Sequence, residues 1–378
     1  MKNISAVSSV WAEISIDNFI HNINSIRSQL LPTTMLLAIM KADAYGHGAK
    51  KLAPIAIKAG AKMLGVATFM EALEIREICK KEPILVLGYT PSNLIKEALK
   101  QNITLTIFNK FRALELSKEA KKQNKIANIH IKLDTGMNRL GYKYTNESIK
   151  EIINILNLPN INVEGIFTHF ADADREDSAY TNEQYEIFEN FLQSLKIKPK
   201  ILHCTNSSAT LSYKQMHHNM VRPGIIMYGV KTIKSSKIVL KPVMSVKTRI
   251  THIKKIKKNE SIGYSRTFTS KQNMTIATLP IGYADGYMRA LSNKAEVSVN
   301  GVRAPIVGNI CMDQCMIDVS HIRNINVEDE VLIFGEDSSN KLEVSELANH
   351  INTIEHEILC AVSKRVIRIY SYNGECFF

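Results

Sequence analysis

Lys41 directly follows an apolar run in the stretch "LLAIMKADAYGHGA", residues 36–49. A lysine at the end of a buried strand most often extends its ammonium group into water. The alternative is an amine held in a pocket for its chemistry, as in lysines that form Schiff bases. This stretch alone favours the first interpretation, so the rest of the chain must decide between them.

Other polar residues also come directly after apolar runs. They are Asp134 and Arg139 in "DTGMNRLG", His169, Ser207 in "TNSSA", and Arg222 and Gly224 in "VRPGI". Taken singly, each has a common structural explanation, such as a core histidine, a surface ion pair or a turn glycine. If the runs are barrel strands, their carboxyl ends meet at one face, where such barrels carry their active sites. We therefore expect these residues to share one site.

Eight short apolar runs alternate with stretches of helical period. The runs are residues 36–40, 63–67, 84–88, 104–108, 129–133, 163–168, 201–204 and 219–222. The intervening segments 70–81 and 182–195 repeat apolar residues every three or four positions, as packed helices do. Eight strands alternating with helices over about 200 residues predict an α/β fold, a (β/α)₈ barrel.

The pattern changes near Lys241, where runs of alternating polarity begin. Asn300–Gly301 separates two such runs, as a two-residue hairpin turn prefers. We expect a mostly antiparallel β domain after the barrel, with residues 1–238 forming the barrel and residues 239–378 the β-rich domain. A chain of 378 residues with 45% hydrophobic content can supply two such cores.

Composition favours a cytoplasmic globular protein. The amino terminus shows no continuous apolar segment typical of a signal peptide, and no run is long enough to span a membrane. Six scattered cysteines, without a CxxC pair or a Cys/His cluster, predict free thiols rather than disulfides or a metal site. The net charge of +12 is spread widely, and the densest cluster, "KKIKK" at 254–258, is better interpreted as a solvated strand face than as a nucleic-acid site.

The loops after the last two barrel strands are suited to an anion. Barrels often bind phosphate there, and this chain offers Ser207 and the Gly224–Ile225 backbone. Together with Lys41 and two arginines, they suggest a phosphorylated aldehyde as cofactor, and pyridoxal 5′-phosphate (PLP) meets that description.

The motifs resemble those of the bacterial alanine racemases, which are PLP-dependent enzymes with a barrel and a carboxyl-terminal β domain. The resemblance runs almost from end to end. It includes "WAEISIDNFIHNI", "KADAYGHGA", "KLDTGMNRLG", "FTHFADAD", "HCTNSSA", "NMVRPGIIMYG", "IGYSRTF", "LPIGYADGY" and "GNICMDQCMIDVS", in this order.

The resemblance implies a role for individual residues. Lys41 matches the lysine that binds the cofactor as a Schiff base and serves as one catalytic base, and Tyr264 matches the opposite base, which the partner subunit of a homodimer supplies. The other matches are Arg222 facing the pyridine nitrogen with His169 behind it, phosphate contacts at Tyr45, Ser207, Gly224 and Ile225, Arg139 contacting cofactor and substrate carboxylate, Tyr283, Met312 and Asp313 of the other chain near the substrate entrance, and Lys132, which is often carbamylated and holds the arginine.

These implied roles are chemically coherent. Inverting a Cα centre requires a proton to leave one face and return to the other, so two bases must flank it. A lysine and a tyrosine can do so if their pKa values are lowered by cationic neighbours, and in the lysine's case also by desolvation. Arg222 stays charged, which leaves the pyridine nitrogen unprotonated and discourages transamination.

The resulting prediction is a homodimeric, cytoplasmic enzyme that interconverts L- and D-alanine and supplies D-alanine for peptidoglycan. One departure is Lys364, where family members often carry a tyrosine that touches the phosphate. The alternatives are a racemase of another amino acid such as serine, a barrel decarboxylase, and a non-catalytic PLP carrier. Arg222 in place of an acid counts against the decarboxylase, while Tyr264 and the β domain count against the carrier.

Overall fold

The computed structural model describes residues 8–175, 178–196, 199–233, 235–338 and 340–378. Its described residues form two compact units. Of the described residues, the barrel unit comprises those in 20–44 and 49–240, and the β unit comprises those in 8–19, 45–48 and 241–378.

Eight parallel strands form the barrel unit. They are Met35–Ile39, Met63–Val66, Ile84–Val86, Thr104–Ile107, Ala127–Asp134, Ile161–Phe167, Ile201–His203 and Met220–Val221. The first seven pair in chain order and the last pairs with the first, while no ladder among the described residues joins the seventh to the eighth. A short ninth strand, Tyr142–Lys143, lies beside Ala127–Asp134. The eight predicted strands and the nearly closed (β/α)₈ barrel are therefore confirmed.

Helices connect the barrel strands in the expected alternation. In chain order the described α-helices are Ile16–Arg27, Ala49–Lys58, Phe69–Arg76, Ser92–Lys100, Lys110–Lys122, Asn146–Leu156, Ala179–Leu195, Ser207–Ser212, Val344–His350 and Glu355–Ala361, the last two in the β unit. Lys41–Tyr45 is a turn with left-handed backbone angles. Short 3₁₀ turns occupy Lys214–Met216, Ile225–Tyr228, Tyr264–Arg266, Tyr283–Asp285 and Arg289–Leu291. The helix predicted at 182–195 is confirmed as part of Ala179–Leu195.

The helix predicted at 70–81 ends early, at Arg76. The buried Arg76 guanidinium donates hydrogen bonds to the carbonyls of Cys79, Glu82 and Asn102. These bonds fold the following residues into a loop around the guanidinium, so the apolar periodicity beyond Arg76 does not continue the helix.

Most strands of the β unit are antiparallel, as predicted. The large sheet contains, in spatial order, Val302–Pro305, Glu296–Val299, Glu330–Glu336, Met244–Arg249, Val10–Ser15, Ile367–Tyr372 and Glu375–Phe377, with Lys341–Leu342 beside Glu330–Glu336. A second sheet pairs His252–Ile256, Met274–Leu279 and Cys315–Asp318, and a third pairs Ser261–Ile262 with Phe268–Thr269.

Two local predictions in the β unit are confirmed. Val299 pairs with Val302 across the Asn300–Gly301 turn, where both turn residues have positive φ as a type I′ turn requires. In the "KKIKK" segment the four lysines are exposed and Ile256 is buried, so this is a solvated strand face.

The amino-terminal strand Val10–Ser15 lies in the β unit and not in the barrel. It pairs antiparallel with Met244–Arg249 and parallel with Ile367–Tyr372. Residues 8–19 and 45–48 thus lie in the β unit, whereas the predicted barrel domain spans residues 1–238. Pairing between such distant segments leaves no signal in local periodicity. Among the described helices, none has both the length and the apolarity needed to cross a membrane.

Candidate active site

Lys41 lies at the carboxyl end of the first barrel strand, on a turn of unusual conformation. Its side chain is solvent-accessible, and Ala42, Asp43, Ala44 and Tyr45 all have φ between +52° and +55°. A left-handed conformation costs roughly 1–2 kcal/mol per L-residue. Four in succession therefore need support from the surrounding structure.

Glu71 supplies part of that support within the barrel unit. One carboxylate oxygen accepts a hydrogen bond from the Ala42 N–H at 2.7 Å, and the other accepts from Ala67 N–H at 2.7 Å and Thr68 N–H at 3.1 Å. Glu71 and Thr68 also form a capping box at the start of the helix Phe69–Arg76. One side chain thus fastens the turn after Lys41 to the end of the second barrel strand.

Arg222 is the most completely fixed side chain of the site. It is buried, and its Nη2 donates to the carbonyls of Thr168 at 2.8 Å and Cys204 at 3.0 Å and contacts His169 Nδ1 at 3.2 Å. Its Nη1 lies 3.1 Å from His203 Nδ1. Burial lowers the pKa of Arg222 to about 10, so the guanidinium stays charged at neutral pH.

Cations converge on His169. Burial lowers the pKa of His169 well below its usual value, and the positive charges of Arg222, Lys132, Arg139 and Lys41 lower it further. The imidazole is therefore neutral at pH 7 and can accept a hydrogen bond from Arg222 at Nδ1. The structure thus brings together five of the predicted residues at one end of the barrel, in a site with excess positive charge.

Lys132 is the buried amine of this group. Burial lowers its pKa to about 7, and Arg222 adds to that effect, while Asp134 opposes it. Its Nζ donates to the Leu133 carbonyl at 2.8 Å and lies 5.3 Å from the Phe167 ring centroid. At neutral pH the Lys132 amine is therefore unprotonated in a large fraction of the molecules, and the unprotonated amine is the nucleophilic form.

The two loops expected to hold phosphate are joined directly. Gly224 N–H donates to Ser207 Oγ at 2.9 Å, and Ile225 starts a buried 3₁₀ turn. Thr205, next to Ser207, is buried, and its Oγ1 has no hydrogen-bond partner among the described residues. Hydroxyl and amide groups on adjoining loops form a donor set suited to an oxyanion.

The remaining predicted residues belong to the β unit. Tyr264 stands on a strained turn with Ser265 and Arg266 at positive φ, and its side chain is 72% exposed. Tyr283 and Met312, also exposed, are neighbours because Tyr283 N–H donates to the Cys311 carbonyl and Ala284 N–H to that of Met312.

Arg365 ties these two loops of the β unit together. It lies 2.8 Å from an Asp313 carboxylate oxygen and 3.3 Å from one of Asp285. Tyr45, whose pKa is raised by burial and by Cys360, packs near His356 in the same unit. Lys364 is exposed on the turn before Ile367–Tyr372.

Sequence reasoning missed Glu71 and His203. Each has a weak signal: Thr68–Glu71 fits the capping-box pattern, and His203 lies in the quoted motif "HCTNSSA". His203 lies inside the predicted apolar run 201–204, and not directly after it, although it ends the observed strand Ile201–His203. Its contact with Arg222 depends on barrel geometry.

Comparison with known proteins agrees with this geometry. The family model described as "Alanine racemase, N-terminal domain" matches residues 14–232, and that described as "Alanine racemase, C-terminal domain" matches residues 243–370. The chain belongs to the alanine racemase family. It is an amino-acid racemase, an isomerase, and it is 46% identical over 372 residues to the alanine racemase of Clostridium tetani, covering 97% of this chain and 96% of that one.

Solved structures of the alanine racemase family share the fold. The alanine racemase of Clostridium difficile 630 superposes with a TM-score of 0.94 at 37% identity, covering 98% of each chain. The Bartonella henselae alanine racemase, described with covalently bound pyridoxal phosphate, has a TM-score of 0.89 at 29% identity, covering 96% of this chain and all of the other. The family is PLP-dependent, and PLP is the cofactor that membership implies.

Proposed function

We propose that this member of the alanine racemase family interconverts L- and D-alanine with PLP and two bases, Lys41 and Tyr264. The observation that carries the proposal is the buried Arg222, held by the Thr168 and Cys204 carbonyls and by His169 at the end of the barrel that also carries Lys41. We further propose that it acts in the cytoplasm as a homodimer and provides D-alanine for peptidoglycan.

The residues of the barrel unit fit PLP. Lys41 offers an accessible amine at the carboxyl end of a strand, and Ser207, Thr205 and the Gly224–Ile225 backbone offer donors for a phosphate. Arg222 offers a permanent charge for the pyridine nitrogen. Tyr45, at the end of the turn after Lys41, keeps its role as a proposed phosphate contact. When bound, PLP withdraws electrons from the substrate Cα and so makes its proton more acidic.

Two bases move the Cα proton. In one direction the Lys41 amine takes the proton from one face while the Tyr264 hydroxyl returns one to the other face, and in the reverse direction the roles exchange. Arg222 cannot release a proton at neutral pH, and the acceptors around it hold it in place. Because Arg222 does not protonate the pyridine nitrogen, it limits the withdrawal of electrons from Cα. This favours rapid return of the proton to Cα.

Residues of the partner chain complete the proposed site. The exposure of Tyr264, Tyr283 and Met312 supports their burial in an interface, because large apolar side chains rarely stay exposed together. In the dimer, Tyr264 serves the partner's site, while Tyr283, Met312 and Asp313 line the substrate entrance. Arg139 binds the substrate carboxylate, and Lys364 remains a candidate point charge for the phosphate.

Lys132 is proposed to carry a carbamate. Its pKa of about 7 supports this, since carbon dioxide reacts with unprotonated amines. A carbamate would place a negative charge near Arg139 and Arg222, where the cations otherwise repel one another.

The test is to incubate L-alanine in D₂O with the PLP-loaded protein and follow D-alanine and Cα deuterium by chiral chromatography and mass spectrometry. The proposal predicts D-alanine carrying solvent deuterium. Turnover of L-serine in preference to alanine would indicate another racemase, and release of carbon dioxide a decarboxylase. Bound PLP with no exchange would indicate a carrier.

A further inference from the structure

We infer that Glu164 is a positioning residue for Arg222, acting through a chain of two buried histidines across the barrel interior. This inference rests on the proposed function only for the role of Arg222. The contacts between Arg222, the two histidines and Glu164 do not depend on that role.

The series of hydrogen bonds from Arg222 through His203 to His130 has a fixed direction, because the Arg222 guanidinium can only donate. Arg222 Nη1 donates, so His203 Nδ1, 3.1 Å away, must be the acceptor. His203 then carries its proton on Nε2 and donates to His130 Nδ1 at 2.7 Å. His130 in turn carries its proton on Nε2, which lies 3.7 Å from a Glu164 carboxylate oxygen.

Glu164 is the anion that faces the end of this series of contacts, and the buried His130 Nε2 has no hydrogen-bond partner among the described residues. Its side chain is 19% exposed, whereas those of His130 and His203 are fully buried. His130 lowers the pKa of the Glu164 carboxyl, and Lys200 does so to a smaller degree, so the group is ionised at neutral pH. Removing the carboxylate would take away the oxygen that faces the buried His130 Nε2–H and favours a proton there.

A β-bulge aims Glu164 at His130. Ile129 pairs with Val163, but the next residue, His130, pairs with Gly165, so Glu164 is an extra residue in its strand. In a regular strand, Glu164 and Gly165 would point to opposite faces. The bulge lets both approach His130, and bulges next to active sites commonly re-aim a side chain in this way.

The ring positions are set by their surroundings. A Cβ at Gly165 would lie 2.6 Å from His130 ring atoms, so only glycine leaves room for the imidazole. The His203 ring stacks on Phe167, with centroids 4.6 Å apart and planes 9° apart. Because both rings are held in place, the tautomer of His203 decides how Nδ1 meets Arg222. It either accepts a hydrogen bond from the guanidinium or presents an N–H group that repels it.

The direct test is to determine the histidine ring tautomers by NMR. The sample is ¹⁵N-histidine-labelled, full-length protein with and without PLP. We expect His130 and His203 to be neutral with the proton on Nε2. In Glu164→Leu, His130 should show a second tautomer, while Glu164→Gln, which keeps an acceptor oxygen, and the exposed control Glu186→Leu should match the wild type.

Turnover gives an independent readout. In Glu164→Leu we expect kcat to fall about 10- to 100-fold, because a small misplacement near reacting groups has an effect of this size. Pyruvate formed per D-alanine should rise, since a loosened Arg222 no longer suppresses loss of the amino group to PLP. Simple destabilisation would lower both products together and leave this ratio unchanged.

Either of two results would overturn the inference. One is a proton on His203 Nδ1 in the wild type, which stands even if Glu164→Leu fails to fold. The other is a folded Glu164→Leu with unchanged tautomers and product ratio. The predicted tautomers in a protein that does not racemise alanine would instead refute the proposed function and leave the histidine chain intact.

Discussion

Arg222 shows why residue types near strand ends carried so much information. Burying a guanidinium is unfavourable unless its donors are satisfied, and here two carbonyls and two neutral imidazoles satisfy them. The sequence predicted Arg222 and His169 as partners through the family resemblance. It did not predict His203 or Glu164, because their contacts depend on facing strands and on a bulge that periodicity does not reveal.

Lys132 leads to a prediction at the residue scale. We expect Lys132→Met to lose racemase activity yet raise the free energy of unfolding by about 1–4 kcal/mol at pH 6, because it removes a buried cation. The pKa of Lys132 is lowered to about 7 in the folded protein, so burial is most unfavourable below pH 7, where both states are protonated. The gain should shrink as pH rises from 7 towards the unfolded-state pKa of about 10.4.

Urea unfolding of both proteins without PLP, in buffers freed of carbon dioxide, measures this difference at each pH. A gain in the free energy of unfolding that stays constant with pH would contradict a lowered pKa of Lys132 in the folded protein. Incubation with ¹³C-bicarbonate should also give a carbamate carbonyl resonance in the wild type that Lys132→Met lacks.

At the scale of elements, buried parallel strands were the most predictable feature. All eight barrel strands read as short apolar runs, because both of their faces are covered. The left-handed turn after Lys41 could not be foreseen, since Ala42 and Ala44 have no preference for that conformation. The early end of the helix at Arg76 was equally hidden, because it depends on where one guanidinium finds its acceptors.

Glu71 provides the test at this scale. We expect Glu71→Ala to lower the free energy of unfolding by about 1–3 kcal/mol, because the carboxylate no longer accepts from the N–H groups of Ala42, Ala67 and Thr68. Activity should fall further than stability explains, because the turn that positions Lys41 is released. Denaturant unfolding and racemase assays measure the two effects.

Glu74→Ala on the same helix is the matched control, since Glu74 is exposed and caps nothing. Equal losses in the two variants would show that the Glu71 contacts do not support the turn.

At the scale of the whole molecule, the sequence predicted both architectures but did not indicate where the amino-terminal strand pairs. Val10–Ser15 is the only described strand that the β unit takes from the start of the chain. Its parallel pairing with Ile367–Tyr372 joins residues more than 350 positions apart, which no local pattern specifies.

A shared active site predicts complementation between two inactive variants. Lys41→Ala and Tyr264→Phe homodimers should each be inactive, but mixing them under conditions of subunit exchange should restore up to about one quarter of wild-type activity. Random exchange makes half of the dimers mixed, and each mixed dimer has one intact site of two. Racemase activity that stays absent after exchange, confirmed by native mass spectrometry, would show that Lys41 and Tyr264 do not come from different chains.

Lys41 and Tyr264 are proposed to act on opposite faces of Cα, and α-proton exchange by PLP-loaded Tyr264→Phe, given L- or D-alanine separately in D₂O, tests this proposal. We expect racemisation to be lost, while one enantiomer, the one facing Lys41, still takes up deuterium with its configuration retained. Racemisation at the wild-type rate, or equal exchange into both enantiomers, would contradict the two-base account.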